Sequence, residues 1–310
     1  MLLNHHRFRV KKRKEQPNPE QLGPEPKPEV QQNKKKKVLK KLTNNKEKEE
    51  NNIKRISFSE LKNWKECPYR HKLIYVDKLK HFQGNEYTAF GTAIHSVCEE
   101  IIHENNIKDP IDIFNSAFLK ELDNLKKIGI PLRAEMINDM RRQAEPICKQ
   151  VLPAVHEHFG NFKVISVEEK ILEPITEFES FGTNFKGFID LVIRTSDKKY
   201  HIIDWKTCSW GWSRDKKNDA ITTYQLTYYK NYFSKKHNIP PKDIETCFVL
   251  LKRTAKKENV EVLKITSGPK KTENSLKVLQ NAIINIDNKN YIKNRLNCKY
   301  CDFYKTENCK

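Results

Sequence analysis

The chain has 310 residues, 59 of them Lys or Arg against 40 Asp or Glu, for a formal net charge of +19. That length allows one large domain or two small ones with a substantial core. No apolar run approaches the ~20 residues needed to span a bilayer, and the start, MLLNHHRFRVKKRK, lacks the apolar centre of a secretory signal. A soluble, intracellular protein is expected, with organelle targeting left open by the basic, acid-poor start.

The excess charge is uneven. Residues 1–55 hold 17 Lys/Arg and 7 Asp/Glu, a net of +10, with prolines clustered between 17 and 28 and KKKK at 34–37. Such a stretch cannot bury enough apolar surface to offset its ordering entropy, so residues 1–52 are expected to form a disordered basic tail. Subtracting +10 from +19 leaves +9 on residues 56–310, so the folded part, expected over 53–310, is basic in its own right. A basic body with a basic arm suits a polyanion partner, because cations along a phosphate chain release condensed counterions.

Folding is expected to begin at RISFSELKNWKECPYR. Ser57 followed by Glu60 gives a capping pattern, Leu61 and Trp64 recur at helical spacing, and Pro68 ends that helix with Cys67 at its C-terminal end. In FGTAIHSVCEEIIHE, Ile94, Val97, Cys98, Ile101 and Ile102 form one apolar face with His95 on its edge. Further helices are expected over 111–159, interrupted near Pro131, Pro146 and Pro153. From about 164 the period changes to that of strands in VISVEEKIL, NFKGFIDLVIRT and KYHIIDWKT. A helix follows in AITTYQLTYYKNYFSKKH, then strands in TCFVLLKR and VEVLKIT. A last amphipathic helix carries Leu276, Leu279, Ile283 and Ile286. This order predicts an α/β fold, a central mixed sheet flanked by helices.

Strand periodicity puts Asp204 and Lys206 on one face, with Ile203 and Trp205 on the other. If the hairpin around TSDKK is symmetric about residue 197, Asp190 pairs with Asp204. Opposed carboxylates among apolar neighbours repel, and must share a proton or bind a cation. Hard oxygen ligands in a basic protein favour Mg²⁺ or Mn²⁺. A lysine one strand step away could orient a water and stabilise charge developing on a phosphate. The same residues could also be ordinary charges on a hairpin surface.

Together, GTAIH at 91–95, GFID at 187–190, IIDWK at 202–206 and QLTYY at 225–229, in that order, resemble the PD-(D/E)XK nuclease superfamily and its RecB-like branch. The resemblance spans nearly all of residues 56–310. It implies that His95, Asp190 and Asp204 bind the metal, with the backbone carbonyl of Trp205 completing the set, and that Lys206 is the catalytic lysine. Gln225 and Tyr229 match the branch's Q-x-x-x-Y helix, which helps position the lysine and the DNA backbone. Ile189 stands where the superfamily usually has Pro, and Asp204 where it often has Glu; both departures are normal for the branch. Glu168 or Glu169 would match a further acidic position on an earlier strand.

Eight cysteines in an intracellular chain are not expected to form a disulfide framework. Cys98, Cys148, Cys208 and Cys247 are scattered and are expected in the core. Cys298, Cys301 and Cys309 crowd the C-terminus as C-x2-C-x7-C, a pattern open to zinc, a redox pair or an Fe–S site, and Cys67 is the natural fourth thiol. RecB-like nucleases with a [4Fe–4S] cluster place one cysteine before the nuclease core and three after it, the layout seen here. The resemblance therefore implies a [4Fe–4S] cluster, with zinc as the alternative, closing the domain across its length. Loop closure on that scale would contribute on the order of 4 kcal/mol or more.

The expected function is a Mg²⁺- or Mn²⁺-dependent deoxyribonuclease, an exonuclease acting on single-stranded DNA or DNA ends in recombination, repair or replication. A helicase or recombination partner would be one way of delivering DNA to it. The alternative is a non-catalytic DNA-binding or scaffold protein that keeps the fold.

Overall fold

The structure, a computed structural model, describes residues 53–79, 82–103 and 109–310. The expected basic tail, 1–52, lies outside the described residues. Strand β1 (Arg55–Ser57) leads into α1 (Phe58–Glu66), whose first turn is closed by Ser57 Oγ accepting the Glu60 amide at 3.2 Å. Cys67 ends α1 and precedes α2 (Pro68–His71), where Pro68 takes the first helical position at which its missing N–H is harmless. Three long helices follow: α3 (Glu86–His103), α4 (Pro110–Lys127) and α5 (Ala134–Phe159).

Helix α5 departs from the sequence expectation. The chain does break near Pro131, but Pro146 and Pro153 lie inside one continuous 26-residue helix. Each proline removes a backbone hydrogen bond. The helix persists because Met140, Ala144, Ile147, Cys148, Val151 and Val155 form an unbroken buried stripe along it. Tertiary packing outweighs the local penalty.

Strands β2 (Phe162–Pro174), β3 (Asn184–Thr195) and β4 (Tyr200–Cys208) come next, then the short α6 (Arg214–Asn218) and the long α7 (Ala220–His237). Strands β5 (Ile244–Lys252) and β6 (Val260–Ile265) and helix α8 (Pro269–Asp287) complete the elements that carry the sheet. The sheet is six-stranded and mixed: β2, β4 and β6 pair antiparallel to their neighbours β3, β3 and β5, while β1–β3 and β4–β5 are parallel. Its two faces are covered separately. Leu191, Ile193, Ile203, Trp205 and Val249 pack under α3–α5, whereas Val192, Ile202, Phe248 and Leu250 pack under α1, α7 and α8. Residues 54–310 form one compact unit. Among the described residues no helix is long and apolar enough to cross a membrane.

One irregularity positions everything that follows. Strand β2 runs along one edge of β3 for its full length. The other edge is shared, with β1 pairing at Asn184–Lys186 and β4 at Leu191–Arg194. Between them β3 has no strand partner on that side, and Asp190 sits at the mouth of the gap.

Candidate active site

The β3–β4 hairpin is centred on residue 197, as the sequence predicts: Leu191 pairs with Ile203, Val192 with Ile202, Ile193 with His201 and Arg194 with Tyr200. The ladder stops one step short of Asp190 and Asp204. The side-chain alternation of β3 also breaks there, because Ile189 and Val192 share a face while Leu191 and Ile193 take the other. The Trp205 amide donates to the Asp190 carboxylate at 2.8 Å instead of to a strand carbonyl. The two acids are thus brought together by a splayed strand end.

Both carboxylates are buried, Asp204 at 1% exposure and Asp190 at 9%. Burial, with Asp204 nearby, holds the Asp190 carboxyl well above its ordinary range. Asp204 uses its two oxygens differently. Oδ1 accepts from the Gln225 side-chain amide at 2.8 Å, while Oδ2 has no directed hydrogen bond and meets the Lys206 ammonium in an ion pair. Gln225 Nε2 also donates to the Tyr229 hydroxyl at 3.2 Å. Residues 225 and 229 share a face of α7, one turn apart, which is why Tyr229 can brace the Gln225 amide that holds the carboxylate.

Gly187 fixes where Tyr229 sits. A Cβ at residue 187 would lie 2.7 Å from the tyrosine ring, so only glycine lets β3 pass under it. Gly91 on α3 makes a looser approach to Thr207, where a Cβ would meet the threonine hydroxyl at 3.3 Å. The glycines of GFID and GTAIH therefore each serve a close approach to the same sheet.

His95 reaches the site from the opposite sheet face. It lies inside α3, which starts earlier than the sequence suggests because Asn85 Oδ1 accepts the amides of Tyr87 and Thr88. Its Nδ1 is 3.8 Å from Asp190 Oδ2, and the ring lies close enough to the Trp205 backbone to feel it. Burial depresses the imidazole pKa despite Asp204, so the ring is neutral at pH 7 and has a lone pair available.

Two further acids complete the cluster. Glu99, one helical turn beyond His95, interacts with Glu168, and its carboxyl is raised to about 7 by burial and by that neighbour. Glu168 is raised as well, by burial first, and feels Asp204. Glu168 falls between the Val167–Leu191 and Glu169–Ile189 pairs of the β2–β3 register, at the level of Asp190, and its backbone is left-handed at φ 49°. A non-glycine residue held there costs about 1–3 kcal/mol, strain that concentrates at functional sites. Glu169 points elsewhere, into a network with Ser166, Lys236 and His237. Of the two candidate acids, Glu168 is the one at the site. No sequence motif singles out Glu99, although its i+4 spacing from His95 places it on the same helix face.

The donor set suits a hard divalent cation: buried carboxylates, a neutral imidazole and one carboxylate oxygen without a directed hydrogen bond. Among the described residues, no three His, Cys, Asp or Glu are yet spaced as a ligand set.

All eight cysteines are free thiols. Cys98, Cys148 and Cys247 are core residues as expected, while Cys208 is half-buried at the core's margin. Burial pushes the Cys148 thiol up to about 12, as befits an inert core residue. Cys67, Cys298, Cys301 and Cys309 line one cavity between α1–α2 and the C-terminus, and Cys67 Sγ accepts the Asn294 amide at 3.3 Å.

Sequence comparison gives the class. A family model described as the PD-(D/E)XK nuclease superfamily matches residues 55–306, most of the chain and the whole sheet with its helices. The protein belongs to that superfamily, and its mixed sheet, flanked by eight α-helices among the described residues, is the family's α/β nuclease core. No curated protein matches the chain. Among solved structures it is similar to one described as "Putative exonuclease" from Eubacterium rectale, with 13% identity, a TM-score of 0.51, and coverage of 82% of this chain and 88% of the other. That likeness shows the fold alone. A second structure, of a protein called SSO0001, aligns at 16% identity over 76% of this chain and 91% of its own, with a TM-score of 0.33 too low to carry an argument.

Proposed function

We propose that this nuclease-superfamily chain is a Mg²⁺- or Mn²⁺-dependent deoxyribonuclease that hydrolyses phosphodiester bonds at DNA ends or in single strands. The observation that carries the reading is Asp204: buried, held by Gln225 on one oxygen and facing Lys206 on the other, beside Asp190. Asp190, Asp204, His95 and the Trp205 carbonyl would hold the cation, with Glu168 adjacent. When bound, it would supply Lewis acidity toward the phosphate and lower the pKa of an attacking water.

The protein's own groups do the rest. The Trp205 amide fixes Asp190, and the Gln225–Tyr229 pair fixes Asp204, so neither carboxylate must reorganise during the reaction. Lys206, 29% exposed at its side chain, can turn from Asp204 toward a water or a phosphate oxygen and stabilise the charge that develops there. The test is degradation of end-labelled single- and double-stranded DNA with Mg²⁺ or Mn²⁺. Asp204→Asn and Lys206→Ala should each lose at least about 100-fold in rate. Equal rates in wild type and both variants would remove the site.

Cys67, Cys298, Cys301 and Cys309 are the second part of the proposal, as the residues that would hold a [4Fe–4S] cluster, with zinc as the other occupant their chemistry allows. Their shared cavity and the N–H···S bond to Cys67 support it.

A further inference from the structure

Immediately after Lys206 the chain reads TCSWGWSRDKK, and this segment builds a groove that the nuclease site does not use. The groove's lining includes Trp212, Arg214, Lys217, Leu263, Lys264 and, at the start of α8, Lys271, around about 1050 Å³ of space that is open to solvent. No carboxylate lines it. Lys217 and Lys264 are ion-paired to Glu261 and Glu245, at 2.6 and 2.7 Å. Among the described residues Arg214 and Lys271 enter no ion pair; Lys271 donates to the Thr266 carbonyl at 3.1 Å. The groove therefore has uncompensated positive charge with an aromatic ring set among the cations.

It is also joined to the site. The Trp212 ring lies 5.1 Å from that of Phe248, and the Lys206 ammonium lies 5.5 Å over the same Phe248 ring. One buried phenylalanine thus backs both the lysine and the groove's tryptophan. Trp210, two residues before Trp212, is 79% exposed on the same connection. Lys216 rests over the Trp212 ring at 4.7 Å, a long exposed side chain that can yield that face to a base.

We infer that this groove is a binding track for single-stranded DNA, leading an unpaired strand to or from the Lys206 site. Cations spaced along a channel follow phosphates, and an aromatic ring between them stacks any base that has a free π-face. Bases within a duplex have no free face to offer a half-buried tryptophan, so the geometry selects an unpaired strand. The inference rests on the nuclease reading only for its direction toward Lys206.

The test uses the full chain in EDTA, so that binding is read without cleavage. A 12-nucleotide single strand carrying 5-iododeoxyuridine is photo-crosslinked and the adduct mapped by mass spectrometry. The expected adduct is on Trp210 or Trp212, and adducts confined to other residues would overturn the inference. Trp212→Ala should weaken single-strand binding roughly 5- to 150-fold, with Trp212→Phe recovering most of it. Arg214→Ala should shallow the salt slope by about 0.7, one phosphate contact on a single strand. The same variants should change binding of a blunt duplex far less. Equal losses on duplex and single strand, or none on either, would reduce the groove to general surface charge. Binding through the groove without cleavage under Mg²⁺ or Mn²⁺ would sink the nuclease reading and keep the groove; cleavage with unaltered binding in the variants would do the reverse.

Discussion

Lys206 carries the counter-charge for a carboxylate that is almost wholly out of water, and this sets two expectations at the scale of single residues. Removing the ammonium leaves Asp204 Oδ2 buried and unpaired, and breaking one side of a buried pair costs about 3–5 kcal/mol, less where the partner is part-exposed. Lys206→Met should therefore melt several degrees below wild type in EDTA. Mg²⁺ or Mn²⁺ should recover more of the melting temperature in the variant than in wild type, because the cation takes over the lost charge. Scanning calorimetry with and without metal checks this, and a cation effect equal in both proteins would refute it. Glu99 gives the second expectation. Its folded pKa, about 7, lies above its ordinary value of 4.5. The group thus favours the folded state fully below pH 4.5 and loses that contribution as pH rises through 7. Solvent reaches much of the side chain, so the penalty at pH 8 is about 1 kcal/mol, or about 2–4 °C. Glu99→Gln should raise the melting temperature of metal-free protein at pH 8 by that amount and change it little at pH 5. A gain at pH 5 as large as at pH 8 would show that the Glu99–Glu168 contact is not the cause.

Elements explain how much of this site was legible beforehand. The hairpin centre at residue 197 was readable because the turn TSDKK is short and both strands are apolar, and it put Asp190 and Asp204 at the same level. What the register could not give was the splay beyond Leu191–Ile203. Beyond it the same edge of β3 is taken up again only at Asn184–Lys186, by β1, which is distant in sequence. Helix α5 was hidden for a similar reason: prolines are local signals, while its buried stripe exists only against α3 and the sheet. Glu168 could not be told from Glu169 because a single left-handed residue decides which acid faces the site. Gly187 follows the same logic. As a sequence letter it is a flexible residue inside a strand; in the fold it is the space that Tyr229 occupies. Gly187→Ala should push the tyrosine off Gln225, costing about 1–3 kcal/mol of stability by overpacking. It should lower nuclease kcat with a smaller effect on KM, since the Asp204 support is lost before any contact with DNA. Retention of wild-type kcat in a folded Gly187→Ala protein would show that Tyr229 does not position Asp204.

Across the whole molecule, the two ends of the folded unit are laced together before any metal is considered. The Asn294 and Asn297 side-chain amides donate to the Glu66 carbonyl at 2.9 and 2.6 Å, and the Tyr69 amide donates to the Ile292 carbonyl at 3.2 Å. Phe303 packs against Leu73 and Ile74. These bonds tie α1 and α2, which follow β1 at the border of the gap in the sheet, to the last residues of the chain. Four thiols on one cavity at that seam would convert a polar lacing into a covalent closure of roughly 240 residues, worth on the order of 5 kcal/mol by the chain-entropy estimate. The consequence would reach the active site, because α1 directly follows β1, whose pairing with β3 borders the gap beside Asp190. Anaerobically purified protein is expected to absorb broadly near 400 nm, and Cys301→Ser to lose that band, melt lower and cleave DNA more slowly with His95, Asp190, Asp204 and Lys206 untouched. Bound zinc without the band would assign the site to zinc while keeping the closure. Absence of both metals, with Cys301→Ser as stable as wild type, would leave the asparagine and tyrosine bonds as the whole of the seam.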